Sequence, residues 1–123
     1  MTALGIDIVS INRVETFVTR WHTRALERFL TKHEISLYAN NVQRIASAWA
    51  AKEALSKALG CGIGAQCSFV DIMLMHDERG QPSLNFAPEL VQRFGIEGHS
   101  LSISHDGGFV IAAVIVQLKN PPE

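Results

Sequence analysis

Between Val42 and Leu59 the chain has neither proline nor glycine and is rich in alanine and leucine, the composition of a long helix. Gly60 follows directly, placed to end it. On a wheel of 3.6 residues per turn, Ala48, Ala51, Leu55 and Leu59 form one apolar side. Ala46, Trp49 and Ala50 lie on the other, together with Glu53 and Lys57. A helix that is apolar nearly all round has to be buried or covered. The rest of the chain must therefore wrap this helix, and must do so around a carboxylate.

The flanking segments supply the wrapping. Ala3 to Ile11 reads as a strand, Leu4, Ile6 and Ile8 on one face and Gly5, Asp7 and Val9 on the other, with both faces expected to be buried. Asn12 and Glu15 suggest a helix start of the capping-box kind. Val14, Phe17, Val18 and Trp21 then recur at helical spacing. Thr31 and Glu34 make a clearer capping box, with Leu30 and Ile35 as its hydrophobic staple, for a short helix to about Tyr38. Beyond the loop from Gly60 to Gly64 the period changes to two. Phe69 to Met75 reads as a strand, Asp77-Glu78-Arg79-Gly80 as a turn and Ser83 to Phe86 as the return strand. Pro88 and Gly95 bracket a short helix. Leu101 to His105, the turn Asp106-Gly107-Gly108 and Phe109 to Leu118 make a closing hairpin. Strand, helices, strands, helix, strands is an α+β order, and nothing divides residues 1–123 into more than one domain.

Glu53 admits two readings. It is either half of a solvated i,i+4 pair with Lys57, worth about 0.2–0.5 kcal/mol, or a carboxylate in apolar surroundings that needs a cation or strong donors to stay ionised. Asp7 interrupts an apolar strand, where it either pairs with an arginine or caps a helix, or joins Glu53. Two carboxylates from separate elements suit a hard divalent cation. Magnesium takes only one or two protein carboxylates and leaves its other positions to water and phosphate oxygens; Lys57, a turn beyond Glu53, could then reach a phosphate.

The loop Gly60-Cys61-Gly62-Ile63-Gly64 either lets a phosphate approach the backbone closely or simply stops the helix; it does not match the P-loop pattern. His105, at a strand end beside a glycine-rich turn, is either structural or an anion contact, and it is too close in sequence to Ser104 to act with it as a nucleophile pair. Arg13, Arg20 and Arg24 share one face if the first helix runs through. That face is either merely solvated or suited to an acidic protein partner. His22, His33, His76 and His99 have no metal-ligand spacing and read as surface or structural residues.

A net charge of -1 excludes a generally basic nucleic-acid binder. Two cysteines, Cys61 and Cys67, make neither a disulfide framework nor a metal quartet. The start of the sequence lacks the pattern of a signal peptide, and the longest apolar run, Phe109 to Val116, is too short to span a bilayer. The cytoplasm is the expected location.

Gly5-Ile6-Asp7-Ile8-Val9, Ala50-Ala51-Lys52-Glu53-Ala54 with Lys57-Ala58-Leu59-Gly60, and Ser102-Ile103-Ser104-His105, in that order and at this length, resemble the holo-acyl-carrier-protein synthase family. The turn ending in Gly80-Gln81-Pro82 resembles that family's hairpin. The resemblance implies the compact 4′-phosphopantetheinyl transferase fold, an antiparallel sheet against a long central helix, assembled as a homotrimer with active sites at subunit boundaries. It implies transfer of 4′-phosphopantetheine from coenzyme A to a serine of an apo acyl carrier protein, releasing adenosine 3′,5′-bisphosphate, in support of fatty acid biosynthesis.

By the same resemblance Asp7 and Glu53 would be Mg2+ ligands, and Asp7, Glu53 and Lys57 the catalytic set. Lys57, Gly60, Gly62, Gly64 and His105 would bind coenzyme A, while Arg13, Arg20 and Arg24 would receive the carrier protein. The proton acceptor for the serine would be Glu53 or a metal-bound water near Asp7. Two positions depart from the family pattern: Ala48 stands where many members have arginine, and Cys61 where many have threonine or serine. A non-catalytic module that only binds coenzyme A or a carrier protein is one rival reading. A small nucleotide phosphotransferase is another, disfavoured by the lack of a P-loop or dinucleotide fingerprint.

Overall fold

The computed structural model describes residues 1–120. Strand β1 (Thr2–Ser10) leads into helices α1 (Ile11–Trp21), α2 (Thr23–Phe29), α3 (Lys32–Tyr38) and α4 (Val42–Ala58). A 3-10 turn (Phe69–Asp71), the hairpin β2 (Ile72–His76) and β3 (Pro82–Phe86), helix α5 (Pro88–Phe94), and strands β4 (Ile96–Asp106) and β5 (Phe109–Leu118) complete it. One sheet has the antiparallel order β1-β5-β4 and the other is the β2-β3 hairpin. The expected α+β architecture, an antiparallel sheet against a long central helix, is what is found.

Helix α4 is the core. Ile45, Ala46, Ala48, Ala50, Ala51, Ala54 and Leu55 are all buried, as its all-round apolar composition demands. Gly60, in the left-handed region at φ 81°, ends it. Ala48 is fully enclosed, so this departure from the family pattern sits in the core.

Helix α4 crosses β1 at Gly5 with no room for a side chain. A Cβ there would overlap the carbonyl oxygen of Ala54 and stand 2.8 Å from the backbone nitrogen of Ala58. This contact brings the backbone of β1 against the last turns of α4, where Glu53 and Lys57 lie.

Four expectations are corrected. The outer face of β1 is not buried: Leu4, Ile6 and Ile8 are 58–67% exposed, because the sheet has α4 on one side only. Helix α1 is capped by Ser10, two residues before the expected cap at Asn12, the Ser10 side chain accepting from the Arg13 backbone N–H. That helix does not run through to Arg24. His22 stands at φ 49° between α1 and α2, which redirects the chain and takes Arg24 off the row of Arg13 and Arg20. The expected strand from Phe69 starts only at Ile72, because Ser68 and Asp71 close a 3-10 turn over the first three residues.

The capping box of α3 forms as expected, Thr31 Oγ1 accepting from Glu34 N and Glu34 Oε1 from Thr31 N. The box conceals a larger role for Glu34, which is fully buried and paired with the equally buried Lys52 at 2.6 Å. Removing one partner of such a pair costs about 3–5 kcal/mol, because the other charge is left stranded.

Candidate active site around Asp7 and Glu53

Asp7 projects from the α4 side of β1, and Glu53 and Lys57 lie one turn apart on α4. The three line one cavity of 330 Å³, together with Ile8, Val9, Arg13, Val14 and Trp49. Helical spacing puts Glu53 and Lys57 on the same face, and the close crossing at Gly5 sets that face against Asp7. The structure therefore brings together the acidic pair and the lysine that the sequence singled out.

Lys57 Nζ donates to Asp7 Oδ1 at 2.9 Å and to the Ile6 carbonyl at 3.2 Å. The Asp7 hydrogen bond holds the ammonium's pKa above its ordinary value. Burial, and then the negative charge of Asp7, push the Glu53 carboxyl above the ordinary carboxylate range; the Lys57 charge and the Trp49 indole pull it partly back. The site thus has two acidic groups competing for one cation, and Lys57 is committed to Asp7.

A second, larger groove of 630 Å³ adjoins it, sharing Arg13, Trp49 and Glu53. Its apolar lining is Phe17, Trp21, Phe29, Trp49 and Phe69. Phe29 and Trp49 pack at 4.8 Å, and Phe17 meets Trp49 edge-on at 5.8 Å. Its basic lining is Arg13, Arg20 and Arg28, with the Arg20 guanidinium over Trp21 at 5.2 Å. Arg24 faces a neighbouring cleft beside Phe17 and Arg28. Arg28 was not singled out from the sequence; its i,i+4 spacing from Arg24 was the available signal.

The glycine loop and His105 lie outside both linings. Gly60 N–H bonds back to the Lys57 carbonyl, Cys61 and Gly62 N–H to that of Ser56, and Gly64 N–H to that of Cys67, so these amides already have internal acceptors. Gly60, Gly62 and Gly64 nevertheless have open space where a Cβ would stand. His105 pairs across β5 with Val110, which pairs with Val9. It therefore shares the α4 face with Asp7 but lies two strands away, roughly 10 Å across the sheet.

Cys67, His76 and His99 have structural roles. Burial pushes the Cys67 thiol up to about 12, out of range for a nucleophile. His99 Nε2 accepts from the Leu84 N–H at 3.0 Å, and His76 Nδ1 meets Tyr38 OH at 3.0 Å, consistent with the structural reading of both. Among the described residues no group of three or more His, Cys, Asp or Glu side chains could hold a metal ion. Any cation here would rest on the two carboxylates and on ligands brought by substrate and water. Among the described residues no helix is long and apolar enough to cross a membrane.

The sequence model of the 4′-phosphopantetheinyl transferase superfamily matches residues 3–114. The chain belongs to that superfamily. Within it, the chain is 50% identical to a holo-[acyl-carrier-protein] synthase of Campylobacter fetus over 114 residues, covering 93% of this chain and 98% of that one. It is 51% identical to the one of Wolinella succinogenes, covering 93% and 96%. Among solved structures, the Helicobacter pylori holo-[acyl-carrier-protein] synthase in complex with coenzyme A superposes with a TM-score of 0.88 at 46% identity, covering 93% and 99% of the two chains. The phosphopantetheinyl transferase fold expected from the three motifs is thereby established.

Proposed function

We propose that this chain transfers the 4′-phosphopantetheine arm of coenzyme A to a serine of an apo acyl carrier protein, in the cytoplasm, releasing adenosine 3′,5′-bisphosphate. The observation that carries this reading is the Asp7–Glu53–Lys57 constellation in a chain whose family relatives are holo-[acyl-carrier-protein] synthases along almost their whole length.

The donor set fits magnesium. It is all oxygen and has two carboxylates; burial and then the Asp7 charge raise the Glu53 pKa, and a divalent cation offsets both the desolvated charge and the repulsion. Asp7 and Glu53 would hold the ion, whose contribution is to neutralise charge on the pyrophosphate of coenzyme A. Lys57 has two of its three N–H groups engaged by Asp7 and the Ile6 carbonyl, which leaves the third for a phosphate oxygen. Glu53 accepts the serine proton from within the cavity it shares with Asp7 and Lys57. Phosphoryl transfer needs alignment and charge neutralisation more than covalent chemistry, and these side chains supply both.

Arg13 and Arg20, on the wall of the aromatic groove, receive an acidic carrier surface, with Arg24 at its margin. Gly60, Gly62, Gly64 and His105 contact coenzyme A from the rim. The chain assembles as a homotrimer. The support for this is the outer sheet face, where Leu4, Ile6, Ile8, Ile111 and Ile115 are exposed side by side, a contiguous apolar patch of the kind that marks an interaction surface.

The test is the intact mass of an apo acyl carrier protein after incubation with this chain, coenzyme A and magnesium. A gain of one phosphopantetheine group, abolished by Glu53→Ala and by omitting the metal, is expected. No gain with several carriers, despite measurable coenzyme A binding, would overturn catalysis in favour of a binding module.

A further inference from the structure

Lys52 is the immediate neighbour of Glu53, a little over a quarter of a turn round α4, yet is fully buried. Its Nζ donates to the Phe29 carbonyl at 2.8 Å and to Glu34 Oε1 at 2.6 Å. Glu34 Oε1 also accepts from Thr31 N–H, and its Oε2 from the Leu74 N–H of β2 at 2.7 Å. One ammonium and one carboxylate thus tie together the end of α2, the start of α3, the middle of α4 and the first hairpin. The segment from Phe29 to Glu34 is wrapped around the Lys52 ammonium.

Phe29 is the residue gripped twice. Its carbonyl is held by Lys52, and its ring packs at 4.8 Å on Trp49, one turn earlier on the same helix. Trp49, Phe29 and its neighbour Arg28 all line the groove that ends at Glu53. The aromatic contact fixes the end of α2 against α4 less sharply than a charge-assisted hydrogen bond does. The ammonium fixes that end to a single point.

We infer that Glu34 and Lys52 are a positioning pair, which sets the Arg28–Phe29 wall of the groove at a fixed distance from the Glu53 carboxylate and so registers the carrier protein's serine against the transferring group. This rests on the assignment of the groove to the carrier. A buried ion pair contributes little net stability over an apolar pair of the same volume. Geometric specification of a functional wall is what a core of alanine and leucine cannot supply.

The experiment compares wild type, Lys52→Met and the neutral double variant Glu34→Gln/Lys52→Met, with Arg28→Ala as a control on the groove itself. Lys52→Met strands a buried carboxylate and is expected to fold poorly, whereas the double variant removes both charges together. For the double variant, well below its unfolding temperature, the expected result is a KM for apo carrier protein raised by roughly threefold or more, the order of a lost interface contact, with the dissociation constant for coenzyme A unchanged. An unchanged carrier KM with only a shifted unfolding temperature would overturn the inference, as would equal loss of coenzyme and carrier binding, or failure of the double variant to fold. If Arg28→Ala itself leaves the carrier KM unchanged, it is the assignment of the groove that fails, and the positioning role falls with it.

Discussion

Gly5 of β1 lies against Ala54 of α4 with their backbones in contact, so that a single methyl group on Gly5 would overlap the Ala54 carbonyl oxygen. Ala54 is the residue after Glu53, and Gly5 stands two residues before Asp7 on the same face of its strand. The gap between the two acidic side chains is therefore set by a glycine, and the geometry of the site depends on a residue with no chemistry of its own.

Gly5→Ala is accordingly expected to damage both fold and activity. Overpacking against side chains costs about 1–3 kcal/mol, and here the obstacle is backbone on an enclosed helix, which cannot step aside. Thermal unfolding should show a clear drop in midpoint. Transfer activity measured on the residual folded protein should fall further than stability does, because β1 is displaced from Glu53.

Glu53→Gln should separate stability from function. Burial and the Asp7 charge raise the pKa of this carboxyl, so its ionised form at neutral pH costs the folded state stability. The amide removes that cost. The variant is expected to melt at a higher temperature than wild type without metal, while losing roughly 10²–10⁴ in rate, the range for a lost general base. Magnesium should raise the melting temperature of wild type and have little effect on the variant; a stabilised wild type and an equally stabilised variant would remove Glu53 from the metal site.

Stability should fall on mild acidification. Burial lowers the pKa of His99 below 6.5, and His76 shifts the same way, by burial and then the Arg44 charge. The unfolded chain therefore takes up these protons first. The stability they preserve is complete above the ordinary histidine range and is lost as pH falls through it. Protonated His99 would also lose its acceptor for the Leu84 N–H. Urea midpoints measured between about pH 7.5 and 5.5 should decline, and less steeply in His99→Gln, which keeps an acceptor.

Ile6→Asp tests assembly. Ile6 is exposed on the outer sheet face and pairs with Ala113, so the substitution leaves the core intact while putting a charge in the centre of the apolar surface. Light scattering should report a trimer for wild type and a monomer for the variant, with secondary structure unchanged by circular dichroism. A monomeric wild type would remove the trimer.

What the sequence disclosed, it disclosed through local physics. Helix α4, the Thr31 capping box and the closing hairpin follow from propensity, capping chemistry and turn glycines, all set by neighbours in the chain. Asp7, Glu53 and Lys57 stood out as charges in apolar surroundings. The roles of Glu34 and Lys52 were hidden because their contacts span 18, 23 and 40 residues and because Glu34 already had a satisfactory local explanation as a capping residue. Arg24's departure from the arginine row was equally hidden. It turns on one residue at positive φ, His22, and positive φ is uncommon enough for any non-glycine residue that a histidine alone does not announce it.

The two faces of β1 have a bearing on how the strand finds its place. With Leu4, Ile6 and Ile8 outside and Gly5, Asp7 and Val9 inside, both rows are largely apolar, and hydrophobicity alone discriminates poorly against a slip of one residue, which would exchange them. The discrimination comes from Gly5, since no larger residue fits against Ala54, and from Asp7, whose ion pair with Lys57 a slipped strand would forfeit. The carboxylate assigned to the metal is thus also an alignment mark for folding, and substitutions at Asp7 should be expected to produce misregistered chains as well as inactive ones.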